Sequence, residues 1–305
     1  MNKPQTADAY AADLTLDCER LLVTLMRGLG PWADSVVLVG GLTPRYLVKR
    51  NPPEVPEHAG TQDVDVVVET ALLATVDAYR SLEDNLKKLG FERGLNERQQ
   101  RINWRWEVRT GRTLLRLEFL ADMPGQKRVE ALPTEGNISA LNVPHSSIVF
   151  DHFETATITA ETLGGNGIVT QRFKHADLVA FTTLKAFAFH QRWERKDAHD
   201  LVFCLEHARP LQVAADAFMR ALAGRHAAAI EEALQLLARH FADDLGVEGY
   251  LKDGPVGAAR FELGDGPDDE EIRLLRQREA SHIVSELLKA IATRRAGGSG
   301  SDSSN

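Results

Sequence analysis

The stretch TQDVDVVVE, residues 61–69, constrains the fold more than any other part of the chain. Val64, Val66, Val67 and Val68 are β-branched and apolar, a composition that favours an extended strand. Side chains along a strand alternate between its two faces. Asp63 and Asp65 therefore project to one side, and Val64 and Val66 to the other. The valine side demands cover from a core, which places the strand inside a sheet. The acid side holds two carboxylates that repel one another at short range. A divalent cation offsets that repulsion, and Mg²⁺ takes oxygen ligands, often one or two carboxylates together with substrate phosphates. The plain alternative is a strand that ends at a solvated edge and holds nothing.

Two neighbouring features favour a ligand. Upstream, VVLVGGLTPRYL (residues 36–47) reads as a short buried strand, a Gly40-Gly41 turn and a helix start with Arg45 in it. Glycines allow close backbone approach, and N–H groups at a helix start suit a phosphate. Arg45 either reaches that phosphate or is simply exposed. Downstream, LLRLEFLAD carries Glu118 between Leu117 and Phe119 in a strand that otherwise reads as core. An acid there is costly unless it is paired or metal-bound. Asp63, Asp65 and Glu118 together predict a carboxylate cluster spanning two strands and holding Mg²⁺ or Mn²⁺.

A chain of 305 residues suggests about two domains. Helical periodicity marks 13–29 and 72–90, and strand alternation marks a hairpin over 102–122 and another around GGNG. Residues 51–60 form a Pro-rich loop. From about residue 174 the pattern is helical. The expected organisation is a mixed-sheet α/β domain over 1–172, an all-α domain over 173–295, and a small, polar, disordered tail over 296–305. Cys18 and Cys204 form no CxxC, so neither a disulfide framework nor a zinc site is expected, and the spacing of His190, His199 and His207 makes no shared zinc face on one helix. Net charge is −8, against a simple polycation that coats nucleic acid. There is no signal-peptide core, and no apolar run approaches the ~18 residues needed to span a bilayer, so the expected location is cytoplasmic, with no membrane partner.

Gly40-Gly41, then Asp63-x-Asp65, then an acid on a later strand resembles the nucleotidyltransferase superfamily of the DNA polymerase β type. LKAFAFHQRWERKDAHDLVF, residues 184–203, is similar to the Lys…Arg-x-x-Asp-x-x-Asp-Leu helical motif of the AbiEii/MenT family of nucleotidyltransferase-like toxins. The resemblance spans roughly 36–205. It departs from the family in a long gap before Asp63 and in a glutamate, Glu118, where an aspartate is more usual. It implies a nucleotidyltransferase-like sheet with Asp63, Asp65 and Glu118 as metal ligands. Lys185 would contact the nucleoside triphosphate, Asp197 would match the downstream catalytic aspartate, and Asp200 would be its companion in nucleotide binding. The implied activity moves an NMP from an NTP to tRNA, inhibits growth, and is countered by a cognate antitoxin.

The residues themselves leave alternatives open. Lys185 lies among Phe181, Leu184, Phe187 and Phe189; it either meets phosphates or is a surface lysine on an amphipathic helix. Asp197 equally suits an N-cap. Eight arginines between Arg93 and Arg128, with Trp104 and Trp106 among them, suit RNA backbone and unpaired bases. They equally suit a solvated hairpin balanced by Glu92, Glu97 and Glu107. His190, His199 and His207 read as surface or packing residues. Rival functions are a nucleotidyltransferase acting on a protein or small molecule, and a catalytically silent nucleotide- or partner-binding protein.

Overall fold

The computed structural model describes residues 5–10, 12–69, 76–96, 98–111, 113–125, 139–244 and 246–298. They fall into two compact units: Ala11–Tyr46 with Gly60–Asp177, and Met1–Tyr10 with Leu47–Ala59 and Leu178–Asn305. The first is a mixed α/β unit and the second is helical, so the chain has the expected class, a mixed sheet followed by a C-terminal helical region.

In the sheet unit, helix α1 (Ala12–Leu29) precedes β1 (Val36–Val39), a 3₁₀ turn (Gly40–Leu42) and the single helical turn α2 (Pro44–Leu47). Then come β2 (Asp63–Val68), α3 (Val76–Lys88), β3 (Glu92–Leu95), β4 (Arg101–Thr110), β5 (Thr113–Ala121), β6 (Leu141–Asn142), β7 (Phe153–Glu161) and β8 (Ile168–Ala176). The strand order is β3-β4-β5-β2-β1-β8-β7, with β6 pairing the end of β5. At the centre, β2 runs antiparallel to β1 and parallel to β5. One face of this sheet is core. Val36 and Leu38 of β1, Val64, Val66 and Val68 of β2, and Leu115, Leu117 and Phe119 of β5 share a cluster with Leu21, Leu22, Leu25 and Met26 of α1. Those α1 residues recur at helical spacing and bury a single stripe, which is why the segment folds as a helix there.

The helical unit comprises α4 (Leu178–Arg192), α5 (Arg195–His207), α6 (Leu211–Ala221), α7 (Ala227–Phe241), α8 (Asp253–Leu263) and α9 (Glu270–Gly298). Ala280, Val284, Leu287 and Ile291 form the buried stripe of α9. The Pro-rich segment of 51–59 and the N-terminal turn Ala7–Ala9 belong to this unit.

Several expectations need correction. The helix expected to start after Gly40-Gly41 is a single turn, Pro44–Leu47, and residues 48–51 ahead of Pro52 do not continue it. The expected boundary after residue 172 falls inside β8, because Lys174 and His175 pair with Val37 and Leu38 of β1. Helix α4 accordingly begins at Leu178 rather than at His175. Residues 296–298, expected in the tail, continue α9, whose last turns are tied down by Arg294 on Asp216 (2.6 Å). Residues 299–305, and 72–75 of the expected helix, lie outside the described residues. Strands β3 and β6 and helices α6 and α8 carry no signal that the sequence reading used.

Phe119 is 1% exposed and Thr159 lies exposed on β7. Phe119→Ala is expected to lower stability in urea unfolding by about 3–5 kcal/mol. Thr159→Ala, which loses only a cross-strand hydroxyl contact to Thr170, should cost less than about 1 kcal/mol.

Candidate functional site: an acidic sheet face and a buried ion network

Opposite the core face, β2 and β5 present charge. Asp63 stands opposite Arg116, and Asp65 directly opposite Glu118, in the parallel register of the two strands. On the next strand Arg105 faces Glu118 and Glu107 faces Arg116. The sequence pattern therefore placed all three predicted acids on one face. Asp63 is 8% exposed and Asp65 is half-buried.

Gly40 closes one side of this face. Its φ of +71° is left-handed, and a Cβ built there would lie 2.0 Å from Asp65 Oδ2. Only glycine lets the β1–α2 turn approach that carboxylate so closely. Gly41 follows within the same 3₁₀ turn. Arg45 points elsewhere in its bonding: its Nε donates to Glu19 Oε1 at 2.5 Å, an acid on α1 that also accepts from Tyr46 Oη.

The acids have cationic neighbours. Arg116 lies 3.5 Å from Asp63 and 3.3 Å from Glu107, and Arg105 Nε donates to Glu118 at 2.8 Å while lying over the Trp104 ring. Of the acids expected to balance the arginine-rich hairpin, Glu107 pairs with Arg116, while Arg105 and Arg116 also reach Glu118 and Asp63; Arg112, Arg128 and Glu97 lie outside the described residues. In donor chemistry the face suits Mg²⁺ or Mn²⁺, with hard carboxylate oxygens, two on one strand and a third opposite. Among the described residues the three acids do not close into a group whose ligand atoms all lie within 4.8 Å; His58, His199 and Asp200 do.

The helical unit brings Lys185, Asp197 and Asp200 together. Lys185 is 7% exposed, which overturns the surface-lysine alternative. Its ammonium donates to Asp197 Oδ1 at 2.9 Å and to Asp200 Oδ2 at 2.6 Å. Arg192 adds a two-nitrogen grip on Asp197, and Lys196 reaches Asp200 Oδ1 at 2.7 Å. Asp197 is not the N-cap of α5; that position is Glu194, and Asp197 sits in the first turn. Burial alone would raise both aspartates, but the cations outweigh it. Lys185 and Arg192 hold Asp197 below the usual carboxylate range, and Lys185, Lys196 and the His58 hydrogen bond hold Asp200 well below it. Burial works against the Lys185 charge too, and the two aspartates reverse it, so its pKa rises.

Sequence reasoning missed His58. It comes from the Pro-rich segment, donates from Nε2 to Asp200 Oδ1 at 2.9 Å, and is lowered to about 4, chiefly by burial. His199, read as a surface or packing residue, is 5% exposed and bonded through Nδ1 to Glu262 at 2.8 Å. No local signal links a loop histidine to a helix so far along the chain.

No protein-family model matches the chain, and the curated proteins contain no match to it. Among the described residues no helix is long and apolar enough to cross a membrane.

Two variants test this geometry. Lys185→Ala leaves two buried carboxylates short of a partner and is expected to cost about 3–5 kcal/mol in thermal or urea unfolding. Gly40→Ala is expected to cost at least about 1–2 kcal/mol from its left-handed backbone alone. It should also displace the Asp65 carboxylate, visible as an altered side-chain position in a crystal structure.

Proposed function

We propose that the chain is a metal-dependent nucleotidyltransferase whose chemistry resides on the β2–β5 face. The observation that carries this reading is Gly40 pressed against Asp65, with Asp65 in register with Glu118. A glycine turn at a carboxylate pair on a buried strand is poorly explained by stability, since it crowds an acid that is itself costly to bury.

In this reading Asp63, Asp65 and Glu118 would hold Mg²⁺, or Mn²⁺. Once bound, the ion supplies Lewis-acid neutralisation of the triphosphate and lowers the pKa of the acceptor hydroxyl. The absent Cβ of Gly40 lets the turn backbone sit against the Asp65 carboxylate, so that a phosphate held through an ion on Asp65 would lie next to main-chain N–H groups. Arg105 and Arg116, now on Glu118 and Asp63, are the donors able to turn to phosphate oxygens when a cation takes over those acids. The acceptor oxygen then attacks the α-phosphorus in line and pyrophosphate leaves. Lys185, Asp197 and Asp200 enter through the family resemblance, and Arg45 is engaged by Glu19, so that it would have to leave that acid to reach a phosphate. The same resemblance supports tRNA as acceptor, growth inhibition as outcome and an antitoxin as partner.

A second reading draws on the ion pairs of Arg116 with Asp63 and Arg105 with Glu118. There the acids are neutralised by arginines, and the protein binds a nucleotide or partner without turnover.

Purified protein incubated with Mg²⁺, total RNA and each α-³²P-labelled NTP in turn separates these readings. The expected result is label in the tRNA fraction with one preferred NTP, abolished in Asp63→Ala. Label in protein or small molecules would redirect the acceptor. Full transfer by Asp63→Ala would sink the proposal.

A further inference from the structure

The His58, His199 and Asp200 group lies outside the acidic sheet face and is assembled from two distant segments of the helical unit. One ring nitrogen from each histidine and one Asp200 oxygen lie within 4.8 Å of one another. The two imidazoles stack, with centroids 5.3 Å apart and 23° between planes. Asp200 is fully buried, and the His58 side chain is 10% exposed.

The state of His199 is the deciding observation. Its Nδ1 faces the Glu262 carboxylate, an acceptor, so the ring proton sits on Nδ1. In the neutral ring Nε2 then carries a lone pair, and among the described residues Nε2 is buried with no hydrogen-bond partner. A buried acceptor left unsatisfied costs about 1–3 kcal/mol, so it needs a reason. A histidine with one ring nitrogen donating to a carboxylate and the other offering a lone pair is the usual state of a metal ligand. Glu262 is itself fixed, accepting from Arg276 Nε at 2.5 Å, while Arg276 also grips Glu206 with both terminal nitrogens. This support orients the ring before any ligand arrives.

We propose that His58, His199 and Asp200 bind a transition-metal dication of the Zn²⁺ class within the helical unit. Two imidazoles and one carboxylate suit Zn²⁺ or Co²⁺ rather than Mg²⁺, which prefers oxygen. Three protein ligands leave a fourth position for water. Binding asks for three local changes. The His58 ring turns out of its stack on His199, because in-plane lone pairs of rings only 23° apart do not converge on one ion. The His58 proton now donated from Nε2 to Asp200 moves to Nδ1, freeing the Nε2 lone pair. Lys196, whose ammonium rests on Asp200 Oδ1, swings off that oxygen; the same ammonium already lies 5.4 Å from the Tyr10 ring centroid. Lys185 keeps Asp200 Oδ2. The ion fastens the 47–59 segment to α5. The inference does not depend on the nucleotidyl-transfer reading.

Full-length protein, stripped with chelator, would be titrated with Co²⁺ and Zn²⁺. The expected result is one saturable equivalent, with the intense visible absorption of low-coordinate Co²⁺, displaced by Zn²⁺ and untouched by excess Mg²⁺. His58→Asn and His199→Asn, checked for folding by circular dichroism, should lose the signal. Glu262→Gln should weaken binding about 10–100-fold. Absence of saturable Co²⁺ or Zn²⁺ binding by the wild type would overturn the proposal, whatever the variants do. So would a signal retained in His199→Asn and lost in Asp65→Asn, which would put the ion on the sheet acids.

Discussion

The sheet unit depends on the division of β2 into two unlike faces. Val64, Val66 and Val68 join the apolar cluster beneath α1, and that burial fixes the strand at the centre of the sheet. Because side chains alternate, the same constraint forces Asp63 and Asp65 onto the opposite face. A one-residue slip would bury both aspartates in the core, so the register is held by the hydrophobic side and the placement of the acids follows from it. The parallel partner β5 repeats the division, with Leu117 and Phe119 inward and Arg116 and Glu118 outward. Gly40 then brings backbone against Asp65 where any side chain would collide.

The helical unit rests on a different constraint. Lys185, Asp197 and Asp200 are all buried, and a buried charge is tolerable only when its partners are in place. Each carboxylate oxygen of Asp197 and Asp200 accepts from a lysine, arginine or histidine. Such a network adds little net stability over an apolar core, but removing one member is costly. It therefore specifies how α4, α5 and the 47–59 segment meet more than it stabilises them.

Much of the sheet was legible because strand and helix periods are local. The D-x-D alternation, the Glu118 position and the strands of both long hairpins follow from alternation within each strand. The short strands β3 and β6 were not legible, since four and two residues carry no usable period. Helices α6 and α8 hide among Pro and Gly, and α8 contains Gly254, Pro255 and Gly257 within itself. The burial of Lys185 and the meeting of His58 with Asp200 are non-local. They depend on which segments pack together, and the Pro-rich loop gave no sign that it belongs with helices more than a hundred residues downstream. Lys185 shows the cost of reading a lysine by its neighbours alone: the same residues suit a surface stem, a phosphate contact and a buried ion pair.

The central claim is that the carboxylates of β2 and β5 hold a triphosphate through a divalent cation. Calorimetric titration with a non-hydrolysable α,β-methylene NTP, with and without Mg²⁺, tests it most directly. The account predicts saturable binding that requires Mg²⁺ and disappears in Asp65→Asn. Binding that persists in chelator, or is unchanged in Asp65→Asn, would contradict it.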